Sequence, residues 1–284
     1  MTSIEMLSKN RYFGPGLFFL SELLFALSFS LMKLVSHSIT LPLLMVLRVS
    51  PVLLLLPFFY KKKLRFDFHS PKLLITRSVI GLLSIICLTY ALKWGDYGKV
   101  NVLYSLGTVW AFVASMIFLK EKPHKITIMA IPIAILGIIF IFKPSIKALN
   151  IPDFISLFGS FLTAFVYVSI RELRKTHNSI SIVSCFYLTS LVVLIIPTAF
   201  TFQMPSMHAL LICMMVAISG FFAQILMTLG YKYTPVSVSS SIKLTGIVLS
   251  VCIGFFFFHD AIDWVSGLGI IFVISSIYLV TRFQ

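Results

Sequence analysis

Apolar residues run through this chain in long blocks, interrupted at intervals by charges, prolines and turn residues. No Asp, Glu, Lys or Arg occurs over Val100–Leu119, Ile126–Phe142 or Phe154–Ile170, and none across the 56 positions Thr176–Tyr231. Uncharged apolar stretches of about 18 residues or more match the hydrocarbon thickness of a bilayer. The blocks lack the alternation of a barrel strand and far exceed its ~9–11 residues, so the pattern predicts helices. Cutting at the interruptions predicts ten, over residues 13–35, 40–60, 73–93, 98–119, 126–143, 153–170, 180–200, 207–230, 235–258 and 264–281. The longest block divides at Thr201–Ser206, where Pro205 and its polar neighbours stop a helix. The loops are short and leave no room for a soluble domain. The predicted class is an all-α polytopic membrane protein.

Composition agrees: 59% of the 284 residues are apolar and 11% are charged, against about 45–50% and 25% in soluble domains. A chain with so few charges has no skin to keep it dispersed in water, which excludes soluble enzymes, disordered tails and disulfide scaffolds. The net charge of +14 would point to nucleic acid in a soluble chain. Here the expected partner is the lipid bilayer and nucleic acid is not, because basic residues gather in the loops that stay inside. With the N-terminus inside, 15 of the 23 Lys and Arg fall on the inner side, 4 on the outer side, and 4 (Lys33, Arg48, Arg77 and Lys243) within spans. The expected location is the plasma (inner) membrane, multi-pass, with both termini cytoplasmic. Residues 1–12 form the cytoplasmic N-terminal segment. Lys9 and Arg11 precede a long apolar run with no small-x-small cleavage site, so that run is expected to be the first span and not a leader. Cys87, Cys185, Cys213 and Cys252 lie in apolar stretches at no metal-like spacing and read as small core residues.

The chain resembles itself. Lys93-Trp94 aligns with Lys232-Tyr233 at an offset of 139, and the same offset relates Gly107 to Gly246, Val109 to Val248, Phe118 to Phe257, Glu121 to Asp260 and Ala130 to Gly269. Ala26 and Lys33 match Ala164 and Arg171 at 138. Each half, 13–143 and 153–282, then holds five spans. Five is odd, so the second half enters the membrane in the opposite sense. Inverted repeats of this kind are a signature of secondary transporters, with a substrate site near midplane between the halves.

Arg77-Ser-Val-Ile-Gly81, followed by Tyr90-Ala-Leu-Lys93, resembles the third-span motif of EamA-type proteins in the drug/metabolite transporter superfamily. Leu119-Lys-Glu121 through Ala130 to Gly137 is similar to that family's acid-then-glycine spacing, and Phe258-His-Asp260 through Gly269 to Ser276 repeats it. The family usually has Glu where Asp260 stands and Gly where Ala130 and Ser276 stand. Gly220-Phe-Phe-Ala-Gln224, leading to Tyr231-Lys-Tyr-Thr-Pro235, resembles the eighth-to-ninth span junction of the branch that includes S-adenosylmethionine and riboflavin carriers. The resemblance implies ten helices in two inverted five-helix bundles around a central cavity. It also implies alternating-access transport of a small polar metabolite such as an amino acid, or an S-adenosylmethionine-like or vitamin-like compound. No Walker-type G-x-x-x-x-G-K-[ST] is present, so ATP hydrolysis is not expected.

Ionisable groups inside spans are costly and are functional candidates by default. Glu22 lies in the first span, either as a handler of substrate or a coupling proton, or as a structural acid paired with Lys33 or Arg48. Lys243 shares a helical face with Ser239, Gly246 and Ser250, which predicts a cavity or a close helix contact. Its repeat partner is Tyr104, on a face with Asn101 and Thr108. Lys243 is expected to hold an anionic group of the substrate, or else to form a structural ion pair with Glu22. Gln224, with Thr228 on its face, is a hydrogen-bonding candidate. The expected substrate-binding set is Glu22, Asn101, Tyr104, Gln224 and Lys243. No catalytic residue, metal site or cofactor is expected, and the further partners are a small-molecule metabolite and a coupling proton or exchanged solute. Arg77 is expected to snorkel or meet phosphate head groups, and Arg48 to pair with Glu22 or touch substrate. Glu121 and Asp260 are expected to be loop acids or to cap the helix that follows each. Ser156, Gly159, Ser160 and Thr163 predict close packing of the sixth span. Trp94, Trp110 and Trp264 read as interface anchors. Two readings compete with a carrier: an integral-membrane enzyme acting on lipid, and a non-transporting membrane subunit.

Overall fold

The computed structural model describes residues 12–55, 70–142, 149–260 and 263–282. Among them all regular structure is helical: α1 (Phe13–Val35), α2 (Leu41–Val49), α3 (Pro71–Trp94), α4 (Tyr97–Phe118), α5 (Lys125–Phe142), α6 (Ile151–Leu173), α7 (Ser179–Thr201), α8 (Met207–Tyr233), α9 (Val236–Lys243), α10 (Thr245–Phe258) and α11 (Trp264–Arg282). A 3₁₀ turn, Ser50–Leu55, continues α2. Eight passages are long and apolar enough to cross a membrane, with α9 and α10 together forming one of them, Val236–Phe258. Leu41–Leu54 and Lys125–Ile141 are shorter apolar helices. The N-terminal segment 1–12 and the basic cluster Lys61–Arg65 lie outside the described residues, Tyr12 excepted.

Local chemistry sets the helix starts. Pro42, Pro71 and Pro152 occupy the first turns of α2, α3 and α6, where a missing N–H costs nothing. Asn150 and Asp153 close a capping box at α6. The Asn178 side chain accepts from Ser181 N (2.7 Å) and Ser206 Oγ from Ala209 N (3.2 Å), opening α7 and α8.

The distribution of polarity is the reverse of a water-soluble domain. Ser21, Ser28, Ser84, Asn101, Ser156 and Thr163 are buried, while Phe19, Leu27, Ile75, Ile196, Phe200 and Phe256 face outward. An apolar exterior over polar helix contacts is the arrangement that lipid selects, since small and hydroxyl residues let backbones approach and bond. The sixth-span expectation is met in these terms: Ser156 Oγ donates to Val100 O (2.8 Å), and a Cβ on Gly107 would lie 2.7 Å from Ser160 O.

Helix starts repeat at the offsets read in the sequence. Phe13 and Ile151 are 138 apart, as are Leu41 and Ser179, while Tyr97 and Val236 are 139 apart, as are Lys125 and Trp264. Contacts repeat as well. Where α5 crosses α11, Gly137 and Gly269 each present a face on which a Cβ would collide with the other's carbonyl, at 2.7 and 2.6 Å. The repeat-related pair at that crossing is Ala130 and Ser276, and Ser276 Oγ donates to Ala130 O at 2.8 Å. Lys33, near the end of α1, donates to Gly95 O at the end of α3 (2.8 Å). Its counterpart Arg171 donates to Tyr231 O and Lys232 O at the end of α8. Both place a cation on a helix C-terminus, where exposed carbonyls and the dipole favour it.

Two expectations are corrected. Residues 235–258 do not form one continuous helix: α9 and α10 meet at Leu244, where Leu244 N bonds Ser241 O and Ile247 N bonds Leu244 O, both three residues back. Of the two readings of Glu121 and Asp260, the loop position holds for both, and the cap on the following helix is replaced by another partner. Glu121 accepts from the backbone N–H of Val236 (3.0 Å) and Ser237 (2.9 Å), opening α9, and Asp260 accepts from Gly98 N (3.0 Å), opening α4. Each acid therefore crosses to the other half. The preceding residues, Lys120 (φ 53°) and His259 (φ 56°), are both left-handed and themselves 139 apart, and this turn aims each carboxylate sideways. Gly98 leaves room for the second of these contacts, because a Cβ there would lie 2.7 Å from Asp260 Oδ2.

Candidate functional site

A cavity lies among α1, α2, α3, α4, α6, α7, α8, α9 and α10. The five residues expected to bind substrate, Glu22, Asn101, Tyr104, Gln224 and Lys243, all line it. The fold thus brings together side chains from four helices, α1, α4, α8 and α9, that the sequence treats separately. Apolar or aromatic and polar or charged residues line it in nearly equal number, more polar than the usual small-molecule site.

Lys243 ends α9 and is 2% exposed. It forms an ion pair with Glu22 of α1, and its ammonium also lies 4.5 Å from the Tyr167 ring centre, 5.7 Å from that of Phe25 and 3.5 Å from Met227 Sδ. Gly246 makes room for the acid, since a Cβ there would sit 2.5 Å from Glu22 Oε2. The pair joins the two halves and is wrapped by rings, which strengthens it by excluding water. Lys243 is thus the partner found for Glu22, while of the other expected partners Lys33 bonds Gly95 O and Arg48 bonds Ser28.

Tyr104 belongs to a chain of hydroxyls. Its Oη lies 2.8 Å from Ser84 Oγ, which lies 2.6 Å from Thr163 Oγ1 and donates to Gly159 O (2.8 Å). This chain fixes the Tyr104 ring against the cavity, with Phe29 edge-on at 6.5 Å between ring centres. Asn101 spends an amide hydrogen on Tyr97 O (2.8 Å), one turn back.

Arg48 and Arg77 also line the cavity. Arg48 donates to Ser28 Oγ (2.7 Å) and approaches Met32 Sδ (2.9 Å), and the absence of a side chain on Gly220 gives its guanidinium space. Arg77 does not snorkel, contrary to expectation. It is 1% exposed and turned inward, with Cζ 4.3 Å from the centre of the Phe186 ring. Arg77, Gly81 and Ser84 lie on one helical face of α3 and all three line the cavity. That stripe, the same kind that marks Lys243, was the available signal for Arg77. Tyr167, Phe186 and Tyr187 had no such signal, because in an apolar span an aromatic residue reads equally as lipid-facing.

These features define a many-helix membrane protein with a polar, charged cavity inside its own bundle. The chain belongs to the EamA-like transporter family, whose profile matches it twice, over residues 12–143 and 150–282. It is a membrane transporter of the drug/metabolite transporter superfamily. An uncharacterized transporter of Helicobacter pylori is 23% identical to it over 213 residues, 72% of each chain. The pseudopaline exporter of Pseudomonas aeruginosa is 22% identical over 213 residues, 73% of this chain and 74% of that one. A crystal structure at 12% identity aligns over 95% of this chain and 96% of its own with a TM-score of 0.75, which shows the same fold.

Proposed function

We propose that this protein is a secondary carrier of a small polar metabolite, working by alternating access between two inverted five-helix halves, with ten spans in the plasma (inner) membrane. The observation that carries this reading is the cavity itself, whose ionisable and hydroxyl side chains come from both halves. Such groups are expensive in a membrane unless they meet a solute, water or one another. The solute is in the size range of an amino acid or of an S-adenosylmethionine-like or vitamin-like compound. Asn101, Tyr104 and Gln224 supply neutral hydrogen-bonding groups, while Glu22 and Lys243 form a pair that a solute or proton entering the cavity can open.

Both termini and the loop at Lys175 face the cytoplasm, and the α7–α8 loop faces outside. Cysteines placed singly at Met204 and at Lys175 in a cysteine-free background test this: an impermeant thiol reagent added to intact cells should label position 204 and spare 175. The reverse pattern would overturn the orientation.

Solute flux into proteoliposomes tests the carrier. Wild-type protein should accumulate or exchange a solute without ATP, which neither a lipid-modifying enzyme nor a non-transporting subunit would do. If Glu22 carries the coupling proton, Glu22→Gln reconstituted from its monodisperse fraction should lose gradient-driven uptake and keep exchange. Uphill transport at the wild-type rate by that variant removes Glu22 from coupling.

A further inference from the structure

Of the four ionised side chains that line the cavity and are described above, Glu22 and Lys243 neutralise each other, leaving Arg48 and Arg77. Arg48 has neutral partners only, in Ser28 Oγ and Met32 Sδ. Arg77 has less: among the described residues Nε, Nη1 and Nη2 are all buried without a hydrogen-bond partner, and its guanidinium lies on the Phe186 ring. A guanidinium stays charged under any physiological condition and carries five N–H donors in a planar fork. Burying one with every donor idle is among the costliest arrangements available to a folded chain. An acid within bonding distance or an apolar residue of the same length would remove that cost, and among the described residues no acid bonds Arg77.

We infer that the cavity binds a solute through an oxyanion, a carboxylate or a phosphate, seated two-pronged on Arg77, with Arg48 adding a second positive charge to the same chamber. The fork matches the spacing of two oxygens on either group. The rings of Phe29, Phe186 and Tyr187, which also line the chamber, receive an apolar or aromatic body on the same solute. The Glu22–Lys243 pair adds no net charge, so the solute is a net anion. This inference rests on the carrier reading for its direction of use, but the anion site stands on the geometry of Arg77 alone.

The test compares wild type with Arg77→Met, which keeps the length and apolar stem of the side chain and removes the charge. The full chain, purified in detergent, is melted with glutarate, benzylmalonate and phenyl phosphate, each beside its neutral counterpart: glutaramide, benzylmalonamide and phenol. Anions should raise the wild-type Tm above the level reached with their neutral counterparts. Arg77→Met should abolish the difference, with affinity for the best anion lowered roughly 10- to 150-fold, the worth of a charge-assisted hydrogen bond. Without ligand, Arg77→Met should melt at or above the wild-type temperature, because an unpaired buried charge has been removed. A residue held for packing would do the opposite, so a lower unliganded Tm with the anion response intact overturns the inference. So does a panel in which no anion outdoes its neutral counterpart. Phosphatidylglycerol titrated into the micelles supplies the same chemistry from a lipid, and stabilisation by it alone, with soluble anions inert, also overturns a solute site. Failure of the carrier reading looks different: anions bind through Arg77 but no bound compound crosses a liposome, which supports the anion site. Liposome flux of a neutral or cationic solute, equal in wild type and Arg77→Met, overturns the anion site and keeps the carrier.

Discussion

One cavity holds positive charge in two ways. Lys243 has a carboxylate, two rings and a thioether around it, and is neutralised by Glu22 from the other half. Arg77 has a single ring and three idle nitrogens. The first arrangement is a complete structure and the second an incomplete one. Cations that look equivalent in a sequence, each alone in an apolar span, thus differ in what their removal does. Breaking a buried pair strands the surviving partner, whereas removing an unpaired charge strands nothing.

The largest effect should come from breaking the pair. Glu22→Gln or Lys243→Met alone is expected to destabilise the protein by about 3–5 kcal/mol, and the double variant to recover most of that loss. Thermal or denaturant unfolding in detergent measures it, and single and double variants of equal stability would dissolve the contrast with Arg77. Next comes Arg77→Met, with about 1.5–3 kcal/mol lost from anion binding and none from the unliganded fold.

Smaller effects should come from the two acids that cross between the halves. Glu121 accepts two backbone N–H groups and lies 3.8 Å from Arg171 Nε, while among the described residues Asp260 has one backbone partner, at Gly98. Glu121→Gln should cost about 0.5–2 kcal/mol, in the range of a lost helix cap. Asp260→Asn should cost about 0.3–1 kcal/mol, the worth of a charge at a helix N-terminus. Unfolding curves rank the two, and hydrogen exchange at the starts of α9 and α4 should rise locally in the respective variant. Equal costs would mean that the second N–H and the Arg171 contact add nothing.

Much of the architecture is legible in the sequence because the membrane makes charge a punctuation mark. The first segment, read as 13–35, is the helix Phe13–Val35, and the segment read as 180–200 is Ser179–Thr201. The repeat offset survives into helix starts for the same reason, since the interruptions duplicate along with the spans. Sequence carries only a faint sign, a stripe of small residues, of which way a side chain near a helix start turns. Arg77 is six residues into α3, about 9 Å from its beginning, within reach of the membrane surface by length alone. Only the packing of Phe186 and the small face of Gly81 and Ser84 decides for the interior. Likewise the reach of Glu121 and Asp260 depends on where the other half lies, and a cap on the next helix is the only partner that local spacing can propose. The break at Leu244 went unread because no proline marks it. There Gly246 admits Glu22, and the chain turns where the ion pair forms.

Flux of an anion through liposomes reaches the central claim most directly. Wild-type protein and Arg77→Met are reconstituted at equal density, and uptake is followed for the anion that stabilises the wild type most, beside its neutral counterpart. The account predicts that the wild type carries the anion in preference to the neutral compound and that Arg77→Met carries it at least about tenfold more slowly at concentrations below saturation. Equal anion flux through both proteins would contradict it.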